Sequence, residues 1–178
     1  MRVYLIGYMY CGKSTLGKRL ARLMGYEFVD LDVKFEERYH TTIPIFFEKY
    51  GEGAFRKLET LMLESTSEMD NVVVATGGGT PCQGNNMRRI KELGVSVYLE
   101  LSFDAICSRM VNSHKVRPVL ANKTIEERRE FIKKQLDERN LFYHQADITF
   151  DAFGNDAGNI GVKLYNAIQE YIANKDDK

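Results

Sequence analysis

Apolar positions along the chain fall into short β-rich runs alternating with stretches of helical period. Val3–Ile6 predicts a first strand, Thr15–Met24 a helix, and Glu27–Asp30 a second strand. The spacing then predicts a helix from Val33 to about Tyr39 and a short one over Thr42–Tyr50, where Pro44 suits a first helical turn. From Ala54 onward, Phe55, Leu58, Leu61, Met62 and Met69 recur at helical spacing. Val72–Ala75 is too short for a helix and apolar on both faces, the pattern of a buried parallel strand. A helix near Met87–Leu93, a strand over Val95–Leu101 and a helix over Phe103–Met110 follow. A polar stretch from Asn112 to Lys123 interrupts the pattern. Thr124 with Glu127 forms a capping box that opens a helix to Arg139, and Ile148–Phe150 and Ile160–Ala173 predict a last strand and helix. Strand–helix alternation with few hairpin signals indicates an α/β fold with a mainly parallel sheet.

Length changes the picture little: 178 residues without linker, repeat or low-complexity segment predict one domain spanning 1–178. Twenty-five basic residues against 25 acidic ones give no electrostatic case for nucleic acid or an anionic membrane, so affinity for anions must be local. No apolar run approaches the ~18 residues of a membrane span. Cys11, Cys82 and Cys107 are odd in number and lack a CxxC pair, which points to a reducing, cytoplasmic setting. His40, His114 and His144 lack metal-ligand spacing.

The strongest chemical signal is Gly7-Tyr8-Met9-Tyr10-Cys11-Gly12-Lys13-Ser14, a full G-x-x-x-x-G-K-[ST] pattern followed by Thr15. It lies after a predicted strand and opens a predicted helix, so backbone N–H groups can cradle a phosphate. Lys13 can reach the β- and γ-phosphates, and the Ser14 hydroxyl can ligate Mg²⁺. The pattern predicts a nucleoside triphosphate site without deciding what receives the phosphate.

Other residues bear on the acceptor. Asp30 and Asp32 end the second strand at spacing two, so both can face the same side of an extended segment; alternatively Asp32 caps the next helix. Gly77-Gly78-Gly79 follows a buried strand and permits close approach by a small ligand, or is a plain turn. Arg56 has Glu59 three residues on to hold its guanidinium. Arg139 shares the face of Ile125, Ile132 and Leu136, a buried stripe where an arginine needs an anionic partner, or it neutralises a helix C-terminus. Arg117 beside Pro118 lies in the irregular 112–123 segment, which reads as a lid or a solvated loop. Cys11 sits where the helix N-terminus and Lys13 favour a thiolate shielded by ATP, unless its side chain turns into the core as an inert hydrophobe.

In combination and order, these residues resemble the shikimate kinase family. The likeness takes in Gly12-Lys13-Ser14-Thr15, Asp30-x-Asp32, Gly51-Glu52-x-x-Phe55-Arg56-x-x-Glu59, Thr76-Gly77-Gly78-Gly79, Arg117-Pro118-x-Leu120, and Arg139 with Tyr143 before Ala146-Asp147. It implies a three-layer P-loop kinase fold of the nucleoside-monophosphate-kinase type, with a five-stranded parallel sheet in order 2-3-1-4-5, a lid at about 112–123 and a substrate-binding region at about 32–60. It implies Mg²⁺-dependent transfer of the ATP γ-phosphate to the 3-hydroxyl of shikimate, a step toward chorismate and the aromatic amino acids, by a monomer. Tyr10, Cys11, Gly12, Lys13, Ser14, Thr15, Arg109 and Arg117 would then meet the nucleotide. Asp32, Arg56, Gly77, Gly78, Gly79 and Arg139 would meet shikimate. Lys13, Asp32 and Arg117 would carry catalysis, and Ser14 with Asp30 through water would hold the metal. Tyr10 departs from the family's usual glycine, and Leu141 from the proline expected two residues after the clamp arginine. The alternatives are another small-molecule kinase, acting on gluconate or a nucleoside monophosphate, and a regulatory nucleotide-binding module without catalysis.

Overall fold

The computed structural model describes residues 1–113, 118–120, 122–153 and 159–176. Five strands form one parallel sheet: β1 (Arg2–Ile6), β2 (Glu27–Asp30), β3 (Val72–Ala75), β4 (Val95–Glu100) and β5 (Ile148–Asp151), in the order β2-β3-β1-β4-β5. The helices between them are α1 (Lys13–Met24), α2 (Leu31–Tyr39), α3 (Ile43–Glu64), α4 (Asn86–Leu93), α5 (Phe103–Val111), α6 (Ile125–Tyr143) and α7 (Ile160–Asp176). All of β3, and β1 beyond Arg2, is buried, because helices cover both faces of the central strands. No described helix is long and apolar enough to cross a membrane.

Sheet register places the chemistry. Asp30 pairs with Ala75, and Ala75 with Leu5, so β2, β3 and β1 end level. The loops that leave these ends are the phosphate loop, the Asp30–Asp32 turn and the glycine run. They meet at one edge, the crevice beyond the carboxyl ends of parallel strands.

Three elements differ from their sequence-based expectations. The two helices expected around residues 42–69 are one element, α3, kinked at Gly51 (φ 79°, ψ 167°), a conformation open to glycine and strained for other residues. The polar side of that kink hides its continuity from hydrophobic periodicity. Asp32 lies in the first turn of α2, not on an extended strand; Asp30 is the cap and accepts from the Asp32 N–H at 3.1 Å. Helix α6 starts with the expected capping box but runs four residues past Arg139, to Tyr143. Leu141 keeps the N–H and the backbone space that a proline would remove.

A second, smaller core joins α2 to α3. Phe35, Phe46, Phe55 and Met62 are buried there, with Phe35 edge-on to Phe46 at 5.1 Å and to Phe55 at 4.9 Å. Each such ring contributes roughly 1.5–3 kcal/mol by burial, and the contact geometry adds about 0.5–1.5 kcal/mol. The cluster fixes the helices that carry Asp32 and Arg56.

Candidate active site

The phosphate loop leaves β1 and enters α1 through Gly12, which caps the helix in the left-handed region (φ 96°) without a side-chain acceptor. The first N–H groups of α1 therefore face outward, available to an anion. Tyr10 is also left-handed (φ 66°), which explains the usual glycine at this position. The Lys13 ammonium donates to the carbonyls of Gly7 at 2.8 Å and Tyr8 at 3.0 Å. A phosphate can replace those carbonyls with stronger, charge-assisted partners. Thr15 is exposed on the first turn of α1.

Ser14 Oγ donates to Asp30 Oδ2 at 2.6 Å. A hydroxyl and a carboxylate side by side at a helix N-terminus are hard oxygen donors. Mg²⁺ at a nucleotide site takes one or two protein oxygens and fills its shell with water and phosphate. The pair fits that ion.

The glycine run forms the floor of the acceptor side, and each glycine lies under a different functional group. A methyl added at Gly77 would meet Glu59 Oε1 at 2.6 Å and Asp32 Oδ1 at 2.9 Å. At Gly78 it would meet Arg139 Nη1 at 3.4 Å, and at Gly79 Arg56 Nη1 at 2.7 Å. Asp32, Arg139 and Arg56 thus converge over three consecutive residues, although they come from α2, α6 and α3. Side chains there would push the two guanidinium groups and the carboxylate apart.

The two arginines are held differently. Arg56 donates to Glu59 at 2.8 Å, as its spacing predicted, and to Glu52 through Nε at 3.1 Å and Nη2 at 2.9 Å. Burial pulls its pKa down, but the two carboxylates reverse that and leave it raised, so the group stays charged. Arg139 is half-buried, with its guanidinium 5.5 Å from the centre of the Tyr8 ring. Among the described residues no carboxylate pairs with it. The stripe expected beneath it is partial: Ile132 and Leu136 are buried, but Ile125 is 52% exposed at the open end of α6. A half-buried cation over a glycine floor is a site for an anion.

Two residues take supporting roles that the sequence did not assign to them. The buried Tyr143 hydroxyl donates to the Gly78 carbonyl at 2.6 Å and sits four residues beyond Arg139, one turn along the same face. That i,i+4 spacing was the available signal. Tyr8 carries Arg139 on its ring face and fixes its own hydroxyl on Gln135 at 2.9 Å, for which no local pattern exists. Asp147 has a structural place, accepting from the Ser96 N–H at 3.0 Å and hydroxyl at 2.6 Å between β4 and β5.

Arg109 reaches from α5 to the phosphate loop, donating to the carbonyls of Tyr10 at 3.1 Å and Cys11 at 3.2 Å and to Ala152 at 3.2 Å. It joins the loop to the chain beyond β5. Arg117 lies outside the described residues, as does much of the expected lid. Cys11 takes the second of its two expected placements: it is 1% exposed within the main core, and its Sγ accepts from Lys13 at 3.6 Å under the loop. The Cys11 thiol is therefore not solvent-facing, although the expected nearness of Lys13 is present. Burial pushes the Cys82 thiol up to about 11, against the pull of Arg139 and Arg56.

A phosphate loop between β1 and α1, in a parallel sheet of order 2-3-1-4-5, defines a P-loop kinase. The shikimate kinase family model matches residues 9–172. A shikimate kinase of Parabacteroides distasonis is 45% identical over 151 residues, 85% of this chain and 87% of that protein. The crystal structure of shikimate kinase from Bacteroides thetaiotaomicron superposes with a TM-score of 0.90 at 38% identity, covering 97% of this chain and 98% of that one. That of Acinetobacter baumannii shikimate kinase in complex with shikimate gives 0.86 at 33% identity, over 98% and 94%. This chain belongs to the shikimate kinase family, whose members are ATP-dependent kinases.

Proposed function

We propose that the chain transfers the γ-phosphate of ATP to the 3-hydroxyl of shikimate, giving shikimate 3-phosphate and ADP on the route to chorismate. The observation that carries this is the convergence of Asp32, Arg139 and Arg56 on the glycine floor, beside the phosphate loop. Arg139, cationic and without an acidic partner among the described residues, takes the carboxylate of a small hydroxy acid. Arg56 adds a second grip. Asp32 aligns the attacking hydroxyl and accepts its proton as the new O–P bond forms and the bridge to the β-phosphate breaks. The N–H groups of α1 and Lys13 hold the phosphates.

Ser14 and, through water, Asp30 would hold Mg²⁺, which would supply charge neutralisation on the phosphates. By the family resemblance, Arg109 would meet the adenine and Arg117 the transferring phosphoryl group. A monomer is what the family resemblance implies, and an odd number of cysteines without a CxxC pair suits the cytoplasm. The test is NMR of the product formed from ATP, Mg²⁺ and shikimate. Phosphorus coupling to the proton on C3, abolished when EDTA is present from the start, is the expected result. Phosphate on another hydroxyl, or turnover that ignores EDTA, would reject the scheme.

A further inference from the structure

Arg56 is oriented by two carboxylates of unequal quality. Glu52 is largely exposed on the first turn after the Gly51 kink, whereas Glu59 is buried, with 4% of its surface exposed. A buried carboxylate is a firm anchor only if both its oxygens are satisfied. Glu59 Oε2 accepts from Arg56 at 2.8 Å, and Oε1 accepts from Thr80 Oγ1 at 2.6 Å. Thr80 is itself fully buried and fixed by its backbone: its N–H donates to Gly77 O at 3.2 Å, and its carbonyl accepts from Asn86 Nδ2 at 3.0 Å.

We propose that Thr80 is a positioning residue for the acceptor site: its hydroxyl locks the Glu59 carboxylate in the rotation that presents Arg56 to the substrate carboxylate. The proposal rests on the shikimate kinase reading, in which Arg56 is part of the clamp. Of the five guanidinium N–H groups, three are used by Glu52 and Glu59. Two remain, one on Nη1 and one on Nη2, to donate to the substrate carboxylate. Without the Thr80 hydroxyl, Glu59 Oε1 is a buried acceptor with no donor. The carboxylate then turns to claim the spare N–H of Arg56 Nη1, in direct competition with substrate. The hydrogen bonds of Thr80 run to Glu59, Gly77, Gln83 and Asn86, so its effect is expected on acceptor affinity rather than on the phosphate loop.

The test compares Thr80→Val, Thr80→Ala and Thr80→Ser in steady-state kinetics and in calorimetric titration with shikimate. Valine keeps the shape and removes the hydroxyl, alanine removes it with less bulk should valine impair folding, and serine restores it. Val and Ala are expected to raise the shikimate KM and Kd about five- to twentyfold, with kcat and the ATP KM within twofold of wild type; Ser stays within twofold throughout. Unchanged shikimate affinity in Val and Ala overturns the proposal. So does a serine variant as impaired as valine, or an equal loss in kcat and ATP affinity, which marks a merely structural residue. If the wild-type chain neither binds nor phosphorylates shikimate, the functional reading beneath it fails, and that result is distinct from the others.

Discussion

Gly79→Ala tests the glycine floor with a single methyl group. The backbone at Gly79 (φ −91°, ψ −14°) accepts alanine without strain, so the perturbation is the methyl alone. It would lie 2.7 Å from Arg56 Nη1 and 2.9 Å from both Cζ and Nη2. Ordinary contact is about 3.5 Å, so the guanidinium must retreat by roughly 0.8 Å. Its flexible stem permits this at small cost to folding, and Tm is expected to move by no more than about 3 °C. The bonds to Glu59 and Glu52 are short, so the group cannot retreat and keep its aim. Loss of one charge-assisted contact to substrate is worth ~1.5–3 kcal/mol, or about 10- to 150-fold in shikimate affinity. Shikimate KM and calorimetric Kd report this directly, while the ATP KM stays within about twofold, the size of change that a loss confined to the acceptor side allows. Gly161→Ala on α7, where the methyl meets nothing nearer than Arg19 at 3.5 Å, controls for a general glycine effect. A folded Gly79→Ala variant with wild-type shikimate affinity would refute the idea that the floor sets the clamp.

Asp32→Asn keeps shape but removes the base, and kcat is expected to fall at least tenfold, within the ~10²–10⁴-fold range of general-base contributions, at steady ATP KM; a nearly normal kcat counts against the role. Arg139→Ala should weaken shikimate binding by ~1.5–3 kcal/mol, whereas Arg117→Ala should chiefly lower kcat, and the reverse pattern would exchange their assignments. Cysteine alkylation mapped by mass spectrometry should be slow at pH 8 for Cys82, whose thiol titrates near 11. A raised thiol pKa means less thiolate below it, so the rate should climb about tenfold per pH unit between 7 and 9.5; a plateau by pH 8 contradicts the burial argument.

The sheet and the phosphate loop were legible in the sequence because both are local. Val72–Ala75 announces a buried strand through composition alone, and Gly12-Lys13-Ser14 carries its geometry in its spacing. The capping box at Thr124 and the Arg56–Glu59 pair are also short-range. Legibility failed where a residue's role depends on what the fold brings beside it. The Gly51 kink joins two helices that periodicity separates. Asp32 reads as extended until the Asp30 cap starts α2 two residues earlier than periodicity predicts. That Gly77, Gly78 and Gly79 each lie under a different clamp group depends on packing between α2, α3 and α6, whose Asp32, Arg56 and Arg139 are far apart along the chain. Thr80 looks like a turn residue until Glu59 is seen across from it. The family resemblance supplied the acceptor, which spacing alone left open.

The most direct test of the central claim is ADP release measured with MgATP and, in parallel, shikimate, gluconate and CMP. Turnover that depends on shikimate, with the other two near the acceptor-free background, is the predicted result. Equal or faster turnover on gluconate or CMP, with none on shikimate, would contradict it.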